Sequence, residues 1–395
     1  MHLGQKKKLL YTATLLLIFT QAVFADGVRN TPEGAAAIGA FGAHRAFADD
    51  ANATIHNSAN LVDLEQPMLQ INATIGYGDN QFHSAIGNDK TENPFYAIPG
   101  FSIAAPLKEG KYAIGFSTYV PYGRSVQWGS TGFFAANWLP YEGTMSVMDF
   151  TPNVAMRLSD SVSIGIGADI YYGQVEQKQF VGPGMNSTLT ADGTALGWNA
   201  AITWKMTDRQ RLAATYRSPF AIKYKGENDI TFLGKSDANA NIEYPTIIAL
   251  AYGVEFTDTL RAELDVEWME FSVYQNLTIN NPAGLGIIST PQKLKNTWTV
   301  AIGGEWDFAE HWTARSGFKY LQNPTPDETY GPLGPDEDQG VISFGLGYEN
   351  ETHLVDLGYA VGLFDGRGIT GSVNSPNGHY DYSLQVLSLS YSYKF

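Results

Sequence analysis

YDYSLQVLSLSYSYKF, Tyr380 to Phe395, alternates with a period of two. Phe395, Tyr393, Tyr391, Leu389 and Leu387 share one side, and Lys394, Ser392, Ser390 and Ser388 share the other. Successive side chains of a strand point to opposite faces, so this segment is a strand with one apolar and one polar side. Such a strand suits a wall between lipid and water.

The other end of the sequence agrees with that compartment. Lys6, Lys7 and Lys8 precede an apolar run from Leu9 to Phe19, and Val23-Phe24-Ala25 offers a small-residue cleavage site. This reads as a secretory signal peptide over residues 1–25. A membrane anchor is the alternative, but roughly eleven apolar residues fall short of the roughly 20 a spanning helix needs. No later apolar run is long enough either, so any membrane embedding must be by a barrel.

Without the signal lysines, 22 basic residues face 40 acidic ones, a net of about −18. A phosphate-bearing partner would want a basic face, so nucleic acid is excluded as a partner. The absence of cysteine rules out thiolate catalysis, zinc-cysteine sites and disulfides. The seven His residues form no spacing such as His-Glu-x-x-His, and there is no Gly-x-Ser-x-Gly elbow. No enzyme, metal or cofactor is expected.

β-type segments fall near 67–77, 97–106, 111–123, 145–157, 162–178, 194–206, 210–219, 243–256, 259–276, 293–307, 312–322, 339–349, 353–362 and 380–395. Every second connection is tight, from Leu107 to Gly110 through Asn350 to Thr352, and those between run about 15 to 25 residues. Short turns at one end and long loops at the other are the hairpin pattern of an outer-membrane barrel. The fold class expected is all-β: a 14-stranded antiparallel transmembrane β-barrel over residues 67–395. Tyr and Trp, 22 and 8 residues, suit girdles at the two interfaces, although ordinary β-cores use aromatics too.

Residues 26–66 do not share this pattern. They are rich in Ala, Gly and Asn, with a helix-like run around Glu33 to Phe47, and are too small to make a domain alone. A lumenal plug, partly helical, is the natural place for them, since a fourteen-stranded barrel otherwise leaves an open bore. A floppy periplasmic extension is the competing reading.

The motifs resemble the FadL-type outer-membrane transporters of long-chain fatty acids and other hydrophobic compounds, a family that includes aromatic-hydrocarbon uptake proteins. Ala48-Asp49-Asp50-Ala51 followed by Asn57-Ser58-Ala59 is similar to the family's acidic pair and Asn-Pro-Ala hatch motif. Tyr216-Arg217-Ser218-Pro219-Phe220, Asp265 with Trp268 and Phe271-Ser272, and the run from His311-Trp312 through Arg315-Ser316-Gly317-Phe318 to Pro335-Asp336-Glu337-Asp338 follow in the family's order. Ser58 stands where the family usually has Pro, which would fix that backbone angle. The terminal Phe395 resembles the recognition signal of bacterial outer-membrane barrels, which implies the barrel-assembly machinery as a partner during biogenesis and the outer-membrane lipids as surroundings.

The resemblance implies loop capture of a long-chain fatty acid or related hydrophobic small molecule, an internal pocket, and sideways release through a gap at a kinked third strand. Importers of alkane or aromatic hydrocarbons, and a general porin, are the alternatives. Gly115, Pro121 and Gly123 are residue types that interrupt ladder pairing and could form the opening; a plain strand end fits Pro121 and Gly123 equally. The long loop Arg124 to Thr144 holds Trp128, Phe133, Phe134, Trp138, Leu139 and Tyr141, a capture surface if exposed or otherwise a buried loop core. Phe180, Val181, Met185 and Leu189 would assist from a later loop. Alternation turns Arg157, Arg217, Arg315 and Lys319 inward, candidates for a ligand carboxylate or for pairing with lumenal acids. A monomer suffices for a closed barrel.

Overall fold

The computed structural model describes residues 27–334 and 336–395. The expected signal peptide and Pro335 lie outside the described residues. Fourteen strands make the wall: β1 Met68–Ser84, β2 Phe95–Leu107, β3 Tyr112–Gln127, β4 Pro140–Arg157, β5 Val162–Gly182, β6 Met185–Thr207, β7 Gln210–Arg217, β8 Ile247–Glu255, β9 Leu260–Met269, β10 Thr297–Ala309, β11 Trp312–Leu321, β12 Gln339–Glu349, β13 His353–Leu363 and β14 Gly378–Lys394. Each is antiparallel to the next. β14 pairs with β1 from Met68 opposite Lys394 to His83 opposite His379, which closes the barrel.

The period-two reading of β14 holds. Leu387, Leu389, Tyr391 and Tyr393 are 37–51% exposed, whereas Ser388, Ser390 and Ser392 are fully buried. Thr74 and Ser388 hydroxyls meet inside at 2.8 Å. Trp204, Trp306 and Trp312 face outward near the tight-turn end, and Trp198, Trp298 and Tyr320 near the other, giving the two aromatic bands a membrane protein needs.

The long connections differ from the expectation in one respect: much of their length is strand. β5 and β6 run on as one hairpin to Gly182 and Met185, so Phe180, Val181, Met185 and Leu189 sit in the wall's extension and not in a loop. A hairpin of Phe220–Ile230 and Gly234–Tyr244 adds to β6 on one edge, and a second, Asn276–Asn281 with Gly286–Pro291, adds to the first. These sequences alternate as the wall does, with Ile222 and Tyr224 buried and Lys223 and Lys225 exposed, so their hydrogen bonds are best satisfied by another strand.

Residues 27–66 lie inside the barrel as a hatch. The helix-like run is only one turn long, α1 Ala35–Gly39, because Phe41 and Gly42 take positive φ, which no right-handed helix continues through. α2 Ala53–His56 and a 3-10 turn Ser58–Asp63 follow. The hatch fits against glycines: Gly303, Gly317, Gly345 and Gly358, on the inner faces of β10, β11, β12 and β13, lie so close to Ala35–Ala40 that none has room for a side chain. At Gly345 a Cβ would lie 2.9 Å from the Gly39 Cα, and at Gly303 2.7 Å from the Ala40 oxygen.

Candidate functional site: two cavities and a break in the wall

Asn57 is the hatch's central fastener. Its amide donates to the Arg45 carbonyl at 2.9 Å and the Thr203 hydroxyl at 2.8 Å, and its carbonyl oxygen accepts from Ala59 N at 3.2 Å. Ser58 and Ala59 are buried against Gly165, where a Cβ would lie 2.5 Å from the Ser58 carbonyl carbon. Asp50 is buried and accepts from Asn52 N and the Gln70 amide, both at 3.0 Å. Asp49 is exposed and takes Arg261 at 2.6 Å.

Three other hatch groups carry unusual proton affinity. Burial pushes the Glu33 carboxyl up to about 8, with Asn72 opposing and Asp50 adding to the shift. Burial pushes His44 down, but the Glu305 carboxylate, 3.7 Å away, and the nearby Asp50 carry it up to about 9. Burial and the charge of His44 hold His56 down at about 3.

A small inner pocket of about 100 Å³ is lined by Arg29, Arg45, Glu267, Lys319, Phe41 and Leu384, among others. Three cations converge there on Glu267: Arg29 donates to one oxygen, Lys319 lies 3.9 Å from it, and Arg45 takes the other oxygen at 2.5 Å. Arg45 also reaches Asp265 at 3.1 Å. Of the four sequence candidates for a carboxylate ligand, Arg217 and Lys319 line this pocket and Arg157 and Arg315 do not. Arg157 clamps the hatch exit through Val62 O at 2.7 Å and Asp63 at 2.9 Å. Arg315 is held between Glu305 at 2.7 Å and Asp356 at 2.6 Å, and Arg217 between Asp149 at 2.7 Å and Asp169 at 2.9 Å. For these three, pairing with lumenal acids is the arrangement found. Arg29 and Arg45 were not singled out from the sequence, although they are the hatch's only Lys or Arg.

A larger cavity of about 460 Å³ lies above, between the two added hairpins and the tops of β4, β5 and β6. Met145, Val175, Leu189, Ile242, Leu277 and Leu294 are among its many apolar walls, and Arg124 is its one Lys or Arg among the described residues. The loop aromatics proposed as a capture surface are elsewhere. Trp128, Phe134 and Tyr141 are buried in a cluster with Phe82, Tyr330 and Tyr380, and Phe133 and Leu139 pack on its side. Trp138 alone of the six is well exposed, and only Leu139 also lines the large cavity. These rings gain more by covering one another than a lone loop could, so the loop makes its own core.

The ladder between β2 and β3 runs from Leu107 opposite Tyr112 to Phe101 opposite Thr118 and stops. On its other side β3 loses register with β4 between Tyr119 and Tyr122, leaving Val120 and Pro121 as a bulge. Above Phe101, Phe95–Gly100 stay with β1 alone among the described strands. Val28–Asn30 of the hatch bind β3 here from inside: Gly123 N donates to Val28 O at 2.8 Å and Asn30 N to Pro121 O at 2.9 Å. Pro121, with no N–H to give, sits where the ladder fails. Gly115 does not, since it is paired with Ala104 on one side and Asn153 on the other and makes room for Thr54 of the hatch.

A family model described as outer membrane protein transport protein (OMPP1/FadL/TodX) matches residues 16–395. The chain belongs to this family. It is therefore an outer-membrane transport-family barrel. A long-chain fatty acid transport protein of Escherichia coli is 23% identical over 89% of this chain and 92% of its own length. Among solved structures, a Pseudomonas aeruginosa FadL homologue superposes with a TM-score of 0.84 at 21% identity, covering 93% of this chain and all of the homologue. The toluene transporter TodX of P. putida gives 0.71 at 16% identity, over 87% and 94%. Members of the family are channels and transporters, and among the described residues no group of three His, Asp or Glu could hold a metal.

Proposed function

We propose that the chain takes up long-chain fatty acids or closely related hydrophobic acids, held first in the large apolar cavity, then in the inner pocket, and released sideways through the β2–β3 break. The observation that carries this is the apolar cavity of about 460 Å³ above a lumen filled by a hatch. Its size lies within the range of small-molecule sites. A fatty chain gains about 0.8 kcal/mol per methylene removed from water. Leaving through the wall into lipid keeps that gain, whereas a porin route down the bore loses it.

The acid is favoured over a hydrocarbon by Arg29, Arg45 and Lys319 on the wall of the inner pocket, since cations offer a carboxylate charge-assisted hydrogen bonds that a hydrocarbon cannot use. The hydrocarbon reading has its own support in the outer cavity, whose walls hold one Arg and no Lys. Displacement of a fluorescent long-chain fatty acid from purified protein by oleate, an alkane and a simple aromatic separates the two. Oleate should compete best, and Arg29→Ala with Lys319→Ala should weaken it about tenfold, the worth of one charge-assisted contact. Alkane or aromatic competition that those substitutions leave unchanged would transfer the reading to hydrocarbon import.

A further inference from the structure

The ladder fails at a second place, on the far side of the closing strands. β13 and β14 pair from His353 opposite Tyr393 to Val361 opposite Gln385. Pairing on that edge of β14 resumes only with the short strand Arg367–Ile369, at Arg367 opposite Tyr380. Asp381–Leu384 of β14 thus have no strand paired to them on that edge among the described residues, and Gly362–Gly366 pass them without pairing to β14, although Gly362 and Leu363 stay paired with β12. The bypass is fastened in place. Asp365 N and Gly366 N both donate to one Glu337 oxygen, at 2.8 and 3.2 Å, and Arg367 donates to Asp336 O at 2.7 Å.

Outside this break is a groove of about 710 Å³ lined by Phe318, Tyr320, Leu363, Phe364, Tyr382 and Leu384. Phe318, Tyr320 and Leu363 face lipid. Leu384 belongs to the opposite face: it alternates with outward Leu387 and Leu389, is 2% exposed, and packs in one cluster with Ile38 and Phe41 of the hatch. It also lines the inner pocket. That one side chain bounds both the lumenal pocket and the lipid-side groove, with Gln339 and Phe364 beside it. Gly362 next to it has no side chain, and a Cβ there would lie 2.4 Å from Gln339 Nε2, 2.7 Å from Phe364 Cε2 and 3.1 Å from Leu384 Cβ.

We infer that this break is a second side portal, gated by Leu384, through which a neutral hydrophobic molecule dissolved in the outer leaflet reaches the inner pocket. Tyr320 marks the outer aromatic band, so the groove opens where headgroups meet acyl chains. Asp338 and Asp365 on its rim repel an anion, which selects an uncharged alkyl or aryl molecule over a free fatty acid. β14, β1 and β2 then form a panel with a break on each side. The inference rests on reading the chain as a channel for hydrophobic cargo, but on a different stretch of wall from the β2–β3 exit.

The chain has no cysteine, so Leu384→Cys is a unique reporter. In phosphatidylcholine vesicles, bilayer-dissolved N-dodecylmaleimide should label it about tenfold faster than Ser388→Cys, which is equally buried but sits in continuous ladders on both sides. Dodecane should slow that labelling, and Gly362→Leu should bring it to the comparator's rate. Equal rates for the two cysteines, or faster labelling of Leu384→Cys by a sulfonated water-soluble maleimide, would overturn the portal. Tyr382→Cys repeats the measurement should Leu384→Cys fail to fold. Fatty-acid displacement measured on the same samples keeps the two readings apart: lost displacement with selective labelling intact counts against uptake of acids and not against the portal.

Discussion

Replacing Gly303 by Ala tests whether glycines on the inner wall are what seat the hatch. The added Cβ would lie 2.7 Å from the Ala40 oxygen and 2.9 Å from the Ala43 Cβ, short of the 3.4 Å at which ordinary contact begins. The hatch must retreat by about 0.7 Å or the strand must bend, and overpacking of this kind costs about 1–3 kcal/mol. If that cost falls on the docked state, the undocked fraction rises between about fivefold and about 150-fold. Gly304→Ala is the control, one residue along and on the other face, where the nearest atom to a Cβ is the Arg261 oxygen at 3.4 Å. Ion conductance in planar bilayers reads the outcome, because an undocked hatch opens the bore. Gly303→Ala should conduct more than Gly304→Ala and melt at a lower temperature. Equal conductance of the two variants would refute the reasoning.

Hatch docking should weaken as pH rises above about 6.5. Glu33 is raised to about 8, so its neutral docked form loses ground from about pH 4.5 upward; His44 is raised to about 9, so its charged docked form loses ground above about 6.5. Above about 6.5 both signs agree, and Glu33→Gln should make the conductance-against-pH curve shallower between about 6.5 and 8. Below about 6.5 His56, held down at about 3, works the other way and offsets Glu33, so docking should be firmest between about pH 4.5 and 6.5. Ile242→Ser in the large cavity should weaken binding of a fluorescent fatty acid about tenfold, from roughly 1.5 kcal/mol of lost apolar contact. Phe134→Ala should destabilise the buried loop cluster by about 3–5 kcal/mol and speed proteolysis near Phe133, while affinity in that same assay holds.

The wall was legible because alternation is a local signal: each strand declares its lipid face in its own residues, as Leu387 to Tyr393 do. Turn placement was equally local. The sequence leaves the loop aromatics open between a capture surface and a buried loop core, because apolar character does not say what covers it; Trp128 and Phe134 are covered by Tyr330 and Tyr380, some 200 residues and more away. The same limit applied to cations. Arg315 and Arg217 could be placed inward, but their acidic partners on neighbouring strands depend on register. Glycines such as Gly317 read as weak strand positions until the hatch beside them is known.

The order of synthesis gives the hatch's seat a consequence for assembly. α1 lies near the start of the described chain, yet it rests on β11 to β14, the last strands to be made. It therefore has nowhere to dock until almost the whole chain is present, and the edge of β1 waits for β14 over the same interval. An unpaired edge and an unseated apolar turn are both invitations to mispairing. A chaperoned, stepwise closure in which hatch and final strands meet together would remove both at once, and substitutions at the seat should first be felt as slow assembly, before any loss appears in the finished barrel.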